Sequence, residues 1–539
     1  MNTFRLILLT LLLTVIPLKG FSYTDNQIVK FGKIHYKVVS GTKHTLCFLG
    51  VDDTQTGHLV IPATVTDIYG TILTVVRAEY NPFYFCRYIT SIELPETMKS
   101  IGGYAFPSAK LKSMNIPKSM EQIDEVAWGN IHRAPKFTVD PGSNYFENDA
   151  NGVLYSKGGA ILHSVPSEIT FTGGKYVIDS RVKQINKGAF QNVQGLRTIV
   201  FPKDLETILY GYPTIAPTST LERCEIAPGA KNFSVKNGVL FKGTSLVLYP
   251  RGKSDPYYKV PDGITTIERY AISNSFYMET IDLNGVTNLR TSAIYAPQKL
   301  TTITLPKDIK PHDWVTKTGM AEGCFEECER VTEYKVKPEN KYFVAEDGVI
   351  FSKNKDTLFL YPANKPGITY TVPNTVKRIG AHSFQSAQNI TSFHFPDNVE
   401  SIGADALRAM PKLTKVTFGE NSKVTHIGYY AFRACNNLRE VTLPKSLGYL
   451  GEIFYMCENL EVVNVPAGSN LHEIAGNALK TNRKLKAFNF KGDCGLNKIS
   501  NDVFANLALL ESFNIPKSVT IIEANAFIGC TSLKTVTFD

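Results

Sequence analysis

A hydrophobic pattern recurs along almost the whole chain, in the form apolar-x-x-apolar-x-apolar, usually followed by proline. It is clearest at 111–117, 438–444 and 510–516. The same register starts at positions 89, 111, 134, 196, 221, 278, 300, 331, 390, 413, 438, 460, 485, 510 and 533, and most steps are 22, 23 or 25 residues. A fixed period of this size is typical of a solenoid, in which each repeat packs on its neighbours. A solenoid builds surface, so the pattern favours a binding protein over an enzyme.

The pattern alternates at period two, as expected for a strand that buries one side. Its fourth and sixth positions point into the core, while its third and fifth positions face outward. A second apolar pair follows the proline, as in Leu447 and Leu450, and then a motif of the type Ala-Phe-x-x-Cys. Since that motif has the spacing of a helical turn, each repeat is predicted to be strand, tight corner, short second strand and helical turn. Successive strands should stack in parallel.

The outward strand positions are rich in Ser, Thr and Asn, and they form the candidate ligand face. One interpretation is a ladder of polar side chains that stack on copies of themselves along a solvated sheet. The other is a recognition face for a protein or a glycan, although it lacks Trp and Tyr. Exposed aromatic residues are expected instead on the insertions and at 80–88. The candidate residues are Ser113, Asn115, Thr302, Thr304, Ser392, His394, Lys415, Thr417, Glu440, Thr442, Asn464, Asn489 and Asn514.

Three steps are much longer than the others: 134 to 196, 221 to 278 and 331 to 390. Each contains Asn/Asp-Gly-Val followed by two aliphatic or aromatic residues, then a polar turn and a second apolar run. Two such runs predict a β-hairpin, which is either a decoration or part of an enlarged repeat whose extra hairpin widens the sheet. The insertions are placed near 140–178, 227–260 and 337–372.

The two ends depart from the repeat. Residues 1–22 combine Arg5, an apolar run over 6–16 and small residues before position 23, which predicts a secretory signal peptide cut after Ser22. Residues 23–60 are predicted to cap the solenoid, which then occupies 61–539. At 533–539 the sequence is a complete strand pattern. A strand at 533–539 would lie at the end of the stack with one edge unpaired. Such an edge predicts weak end-to-end self-association or a partner that docks there.

Nine cysteines in an exported protein raise the question of disulfides. Five of them, Cys86, Cys328, Cys435, Cys457 and Cys530, stand three residues after a phenylalanine. Other repeats carry Ala109, Val193, Ala387, Met410 and Leu507 at this place. The exchange predicts buried, reduced cysteines that act as small hydrophobic residues. Cys324 and Cys328 are four apart, but two thiols without a nearby histidine make a poor metal site.

Composition and motifs do not favour catalysis. The net charge is +9, yet the lysines are scattered, so no nucleic-acid partner is predicted. None of the sequence motifs H-E-x-x-H, G-x-S-x-G or G-x-x-x-x-G-K-[ST] occurs, and the ten histidines are dispersed. The apolar run over 6–16 is too short for an ordinary membrane span, which needs about 20 residues. The sequence therefore predicts a protein without enzymatic activity, cofactor, resident metal or transmembrane segment.

The residues 427–435 together with Leu438 and Leu443-Pro444 form the string I-G-x-x-A-F-x-x-C-x-x-L-x-x-x-x-L-P. This string resembles the BspA-like leucine-rich repeat, and the Asn-Gly-Val-Leu-Tyr insertion is also similar to that family. The resemblance covers roughly 55–539. It implies a strand-rich leucine-rich repeat solenoid with short helical turns, elongated and curved, in a surface or secreted protein of the kind frequent in Gram-negative anaerobes. Some members of the family are described as adhesins for host matrix proteins.

Taken together, the sequence predicts an exported, non-enzymatic binding or adhesion protein that presents a solenoid surface to an unidentified host or surface protein or glycan. It would be secreted, periplasmic or associated with the cell surface. A glycan- or nutrient-capture accessory protein is one alternative, and a structural spacer without a specific ligand is another.

Overall fold

The computed structural model describes residues 23–52, 55–81, 88–106, 111–128, 131, 133–209 and 220–538. The signal peptide predicted at 1–22 lies outside these residues. The chain forms two compact units. The first contains the described residues up to Glu168 together with Asn186–Asn192, and the second contains Ile169–Ile185 and the described residues from Val193 onward. Each unit is built from stacked strand-containing turns, so the predicted parallel β-solenoid of leucine-rich repeat type is confirmed.

A single repeat shows why the sequence folds this way. In the strand Glu440–Thr442, Val441 is buried while Glu440 and Thr442 are exposed. Val441 pairs in parallel with Val463 of the next repeat. Pro444 follows the strand and has no N–H to donate, which ends the ladder. The chain then turns into the short strand Tyr449–Leu450, whose Leu450 is buried.

The strands that carry the repeated pattern, together with four strands that pair alongside them, form what we call the front sheet. In the first unit they are Gly57–Val60, Ile89–Glu93, Ser113–Ile116 and Lys136–Val139. In the second unit they form four separate segments: Lys175–Val177, Thr198–Phe201 and Arg223–Ile226; Tyr257–Lys259, Thr280–Asp282, Thr302–Leu305 and Glu333–Val336; Thr369–Thr371, Ser392–Phe395, Lys415–Phe418, Glu440–Thr442, Val462–Val465 and Ala487–Phe490; and Ser512–Ile515 with Thr535–Phe538.

The short strands after the proline form what we call the second sheet, which in the second unit is also divided into separate segments. In the first unit these are Ser100–Ile101 and Gln122–Ile123, which continue from Ile72–Ala78. In the second unit they are Gln184–Ile185, Thr207–Ile208, Thr266–Ile267, Asn288–Leu289, Gly319–Met320, Arg378–Ile379, Ser401–Ile402, His426–Ile427, Tyr449–Leu450, Glu473–Ile474, Lys498–Ile499 and Ile521–Ile522.

The Ala-Phe-x-x-Cys motif does not form the predicted helical turn, and this detail of the prediction is wrong. In the repeat at 428–435 the N–H groups of Ala431, Arg433 and Cys435 bond three residues back. Those of the intervening Tyr430, Phe432 and Ala434 bond forward to the next repeat instead. Left-handed backbone at Tyr430 (φ 61°) and Ala434 (φ 58°) turns these groups outward. We call this third side of each repeat the turn edge.

Three turn-edge segments, Ile272–Ser273, Ile294–Tyr295 and Phe325–Glu326, are regular enough to pair as strands. Within the described ranges the helical content is one three-residue 3-10 turn, Thr172–Gly174.

Each long insertion is an antiparallel set of three strands. The sets are Phe146–Asn148, Leu154–Ser156 and Ile161–Ser164; Phe233–Lys236, Val239–Lys242 and Ser245–Leu248; and Phe343–Glu346, Val349–Ser352 and Thr357–Leu360. In the second unit the third strand of each set pairs in parallel within the second sheet, Leu246 with Ile267 and Leu358 with Ile379. The insertion is therefore an enlarged repeat whose hairpin widens that sheet.

The glycine of each insertion lies over the preceding front strand. Its carbonyl accepts the strand's central N–H, at 2.8 Å from Cys224 N to Gly238 O and 3.0 Å from Tyr334 N to Gly348 O. In the first unit Phe137 N donates to Gly152 O in the same way, at 3.0 Å. The hairpin tip occupies the place where another front strand would pair, and the front sheet of the second unit ends at each tip.

Residues 23–52 form an antiparallel meander, Ile28–Phe31, Ile34–Ser40 and Thr45–Val51. The third strand is parallel to Ile72–Ala78, which also pairs with Thr64–Thr66. Tyr36, Val38 and Phe48 are fully buried in the core of the first unit. The boundary of a cap at residue 60 stays a prediction.

The cysteines of the described chain are all free. Cys328, Cys435 and Cys457 are buried as predicted, whereas Cys530 is half-buried, and Cys86 lies outside the described residues. Burial raises the pKa of the Cys435 thiol to about 12. These thiols therefore remain protonated at neutral pH.

Candidate ligand-binding surfaces

The predicted polar residues do lie on the front sheet, but they differ in accessibility. Asn464 is only 5% exposed, so its assignment to an accessible ligand face is wrong. The exposed members are Ser113, Asn115, His394, Lys415, Glu440 and Thr442, and the half-buried members are Thr302, Thr304, Ser392, Thr417, Asn489 and Asn514.

Asn464 is covered because neighbouring repeats use its amide. Its Nδ2 donates to Glu440 Oε1 at 2.7 Å, and its Oδ1 accepts from Asn489 Nδ2 at 3.1 Å. His394 Nδ1 lies 2.9 Å from Thr417 Oγ1 in the adjacent strand. Such bonds between neighbouring strands, two of which join copies of one position, support the ladder interpretation, since a ligand would have to replace them.

The same bonding occurs elsewhere on the front sheet. In the first unit Asn115 Nδ2 donates to Asp140 Oδ1 at 2.6 Å, while Thr138 Oγ1 donates to Asn115 Oδ1 at 3.0 Å. In the second unit Thr537 Oγ1 donates to Asn514 Oδ1 at 2.7 Å. The candidate residues also fall into separate sheet segments, so they do not form one uninterrupted face.

An aromatic cluster lies on the turn edge of the second unit, and we call Tyr429, Tyr430, Arg433, Glu452 and Tyr455 the tyrosine patch. The ring centroids of Tyr429 and Tyr430 are 3.7 Å apart, and those of Tyr430 and Tyr455 are 4.7 Å apart. The Arg433 guanidinium lies 5.3 Å from the Tyr430 ring centroid and 5.7 Å from that of Tyr455. Tyr429 is 52% exposed, so aromatic and cationic groups meet at the surface.

Hydrogen bonds fix the edge of this patch. The Tyr429 hydroxyl lies 2.9 Å from the Tyr430 hydroxyl and 3.2 Å from a Glu452 carboxylate oxygen. The bond to Tyr430, followed by partial desolvation and the Glu452 charge, raises the pKa of Tyr429. The patch is a pre-ordered surface, and ordering it on binding would cost little side-chain entropy.

A second aromatic feature is the loop around Trp314, which lies between the strands Thr302–Leu305 and Gly319–Met320. Trp314 is 61% exposed. The His312 ring meets it edge-on at 4.6 Å between centroids, and Lys317 Nζ lies 5.6 Å from its ring centroid.

Local bonds hold the Trp314 loop in shape. The Asp313 carboxylate accepts the N–H groups of Val315 and Thr316 at 2.9 and 3.1 Å. These hydrogen bonds lower the pKa of Asp313 to about 2, and the bond from the Thr316 N–H has the largest effect. At the end of the loop Gly319 has φ 98°, and a Cβ there would lie 2.5 Å from the Pro311 carbonyl oxygen, so only glycine fits.

Two clefts adjoin Trp314. Their cavity volumes are about 150 Å³ and about 470 Å³. Both are lined by His312, Trp314, Glu322 and His382, so they meet along the tryptophan. The first cleft arises at an enlarged repeat, where Tyr361 is linked to the next turn edge by its N–H bond to Ser383 O at 2.7 Å.

The described residues contain no group of three or more His, Cys, Asp or Glu side chains that could hold a metal. Cys324 and Cys328 are both buried, and burial raises the pKa of both thiols. Among these same residues, no helix has both the length and the apolar character needed to cross a bilayer.

Sequence reasoning missed both aromatic surfaces. The signal for the Trp314 loop is the step from 300 to 331, which at 31 residues exceeds the ordinary period. The signal for the tyrosine patch is the pair Tyr429-Tyr430 directly before Ala431-Phe432. Exposed tyrosines do occur on the insertions, at Tyr145 and Tyr342, and at Tyr80 and Tyr88.

Comparison with known proteins agrees with this architecture. The sequence model of one protein family, the BspA type leucine rich repeat region, matches the chain in six copies. The matched residues are 72–151, 173–226, 256–346, 363–486 and 452–539. Among curated proteins, no match is found.

Several solved bacterial structures are similar. They include a leucine rich cell surface protein from Faecalibacterium prausnitzii (19% identity, TM-score 0.34, covering 96% of both chains). A leucine-rich repeat protein from Eubacterium ventriosum is 18% identical, with TM-score 0.40 and 95% of both chains covered. The pneumococcal vaccine antigen PcpA is 17% identical, with TM-score 0.36, covering 96% of this chain and 99% of that one. On its repeats and on the extent of the family match, the chain belongs to the BspA type leucine-rich repeat family.

Proposed function

We propose that this chain is an exported, non-enzymatic binding or adhesion protein that presents its solenoid surface to a protein or glycan ligand. The observation that carries the proposal is the tyrosine patch. Tyrosine and arginine are enriched among the residues that dominate protein-binding energies. Here the Tyr430 and Tyr455 rings pack against each other, and the Arg433 guanidinium packs against both rings.

Family membership supports the non-enzymatic part of the proposal. Proteins of this family are generally repeat scaffolds without catalytic activity. In such a scaffold the apolar residues of each repeat are buried in the core, and the surface positions that vary between repeats are available for recognition. Export rests on the signal peptide predicted at 1–22, and location at the cell surface is proposed with it.

The proposal is tested by saturation binding of residues 23–539 to immobilised extracellular-matrix and cell-surface protein fractions. The test variant carries Tyr429→Ser, Arg433→Ser and Tyr455→Ser. The control variant carries Tyr145→Ser and Tyr342→Ser, which remove exposed tyrosines from the insertions. We expect saturable binding that weakens at least tenfold in the test variant and stays unchanged in the control.

Equal binding by the test variant and the unmodified protein would show that the patch is not the site. The absence of any saturable ligand would favour a structural spacer. Binding to glycans without binding to matrix proteins would favour the alternative of a glycan- or nutrient-capture accessory protein. A hydrolase or transferase activity that one point substitution abolishes would refute the non-enzymatic assignment.

A further inference from the structure

We propose that the two clefts beside Trp314 form one binding site for an uncharged oligosaccharide. The inference rests on the proposed binding function, and it adds a site and a ligand class. It depends on different residues from those of the tyrosine patch. Its components are an exposed aromatic platform, buried polar groups without partners, a first cleft lined by a single carboxylate, and a second cleft that adjoins the same tryptophan.

The platform is Trp314. The chain has two tryptophans, and the other, Trp128, is 1% exposed in the core of the first unit. An indole that remains in water gives up hydrophobic stabilisation unless another surface covers it. The C–H face of a sugar ring is such a surface. Because Asp313 and Gly319 fix the loop, the ring is already positioned for stacking.

Two polar atoms that line the clefts lack hydrogen-bond partners. The Ser383 hydroxyl belongs to a side chain that is 1% exposed, and it lines the first cleft. His312 Nδ1 is likewise buried without a partner, and His312 lines both clefts. An unpaired buried polar atom costs roughly 1–3 kcal/mol. Neither atom is accessible to solvent, so a sugar hydroxyl pairs with it only if the wall of the cleft opens on binding. A sugar hydroxyl can then donate or accept, as either atom requires.

The charge of the lining argues for an uncharged ligand. In the described part of the chain, the first cleft is lined by one carboxylate, that of Glu322, and by no lysine or arginine. Arg290 and Lys317 line the second cleft, but the Arg290 guanidinium donates to the Lys317 carbonyl at 3.0 Å, and Lys317 Nζ lies over Trp314. Glu322, His382 and Gln385 offer the planar polar groups that bond sugar hydroxyls.

The size of the two clefts together suits more than one sugar ring. Ligand sites commonly measure about 300–1,000 Å³. The second cleft, at about 470 Å³, falls in that range, and the first, at about 150 Å³, adjoins it at the Trp314 wall. A ligand of several rings would fill the deep end beside Ser383 with one ring and stack another on Trp314. An apolar ligand would leave Ser383 unpaired, which disfavours it.

The experiment uses residues 23–539 on an array of uncharged oligosaccharides that includes cello-, xylo-, malto- and chito-hexaose. Glycans that bind are then titrated while acrylamide quenching of tryptophan fluorescence is followed. Since Trp128 is buried, the quenching reports mainly Trp314. We expect bound glycan to protect Trp314 from acrylamide. Affinity should fall at least tenfold in Trp314→Ala and about fivefold in Ser383→Ala.

Tyr449→Ala, which removes an exposed tyrosine elsewhere in the second unit, should bind as the unmodified protein does. Thermal melting confirms that each variant is folded. If no uncharged glycan binds while matrix proteins still do, this inference fails and the proposed function stands. Unchanged affinity in Trp314→Ala or Ser383→Ala overturns the site, and protection of Trp314 by matrix-protein peptides instead of glycans overturns the ligand class. Failure to bind either glycan or protein overturns both proposals.

Discussion

The thiol of Cys457 donates a hydrogen bond to the carbonyl oxygen of Phe432, 2.9 Å away in the preceding repeat. Cys435 and Cys530 make the same contact, to Leu407 O and Phe504 O, each at 3.0 Å. In the repeat where asparagine replaces cysteine, Asn482 Nδ2 donates to Phe454 O at 2.9 Å and to Cys457 O at 3.1 Å. This position therefore does more than fill apolar space, because its side chain donates to buried carbonyls of the turn edge, most of which also accept a backbone N–H.

The first prediction concerns Asn482, which is completely buried. Asn482→Ala removes the side-chain donor to two buried carbonyls, each of which also accepts a backbone N–H at 3.1 Å, and should lower the free energy of unfolding by roughly 1–2 kcal/mol. Asn482→Cys should lower it less, since a thiol can still reach one carbonyl. Urea unfolding measures both, with the exposed Asn436→Ala as control. If Asn482→Ala and the control are equally stable, the hydrogen bonds do not matter.

The second prediction concerns thiol chemistry. Burial raises the pKa of Cys435 to about 12 and that of Cys457 well above the ordinary thiol value, so neither forms a thiolate at neutral pH. In the folded protein both should resist iodoacetamide, while the half-buried Cys494 reacts faster. After unfolding all should be alkylated without prior reduction, as read by mass spectrometry. A Cys435–Cys457 disulfide in the purified protein would contradict this.

The third prediction is a pH effect in the first unit. Burial lowers the pKa of His163 to about 4, and Asn186 Nδ2 lies 3.1 Å from His163 Nδ1. The unfolded value is about 6.5. The folded state therefore keeps His163 neutral, and stability is complete above pH 6.5 and is lost as the pH falls from 6.5 towards 4. The loss should be about 1.4 kcal/mol per pH unit, or roughly 3 kcal/mol by pH 4.

Trp128 fluorescence in a Trp314→Phe background reports this transition, since Trp128 belongs to the first unit. Urea unfolding at pH 7 and pH 4.5 should differ more in that protein than in a His163→Gln version of it. An identical pH dependence in the two would show that another group controls the acid sensitivity.

The fourth prediction compares two glycines of the first unit with similar backbone. Gly152 has φ 78° and Gly142 has φ 86°. A Cβ at Gly142 would meet nothing within 4 Å, whereas one at Gly152 would collide with the Lys136 side chain and lie 3.1 Å from Phe137 N. Gly142→Ala should cost about 1 kcal/mol from backbone strain alone.

Gly152→Ala should cost roughly 2 kcal/mol more, because the alanine pushes the hairpin tip off the front strand. Thermal unfolding of the two variants gives the difference. Equal melting temperatures would mean that the tip does not need its contact with Phe137.

The sequence was informative wherever burial dictates the residue. Val441 and Leu450 are buried at the predicted positions, and the three insertions form the predicted hairpins. The turn edge was misread because residues three apart share a side in a helical turn and in two consecutive reverse turns alike. Tyr430 and Ala434 are not typical left-handed residues. Typical left-handed residues do stand at equivalent places in other repeats, and they are the compositional signal for these turns: Asn477, Asn506 and Gly529.

The candidate face was harder to predict than the core. Alternation correctly placed Asn464 on the outward side of its strand, but its burial depends on Glu440 and Asn489 in other repeats. The recurring pattern also predicts only positions that all repeats share. Trp314 occurs once, in a loop outside the pattern, and a one-off feature has no period to reveal it.

The hairpin tips that close the front sheet have a mechanical consequence. Under tension, loss of pairing passes from a strand to its neighbours through their shared hydrogen bonds. In the second unit that path is interrupted at Gly238 and Gly348, where the ladder ends on a carbonyl of the tip. Unfolding under load would then proceed in groups of a few repeats, and each group would absorb work before the next one unfolds.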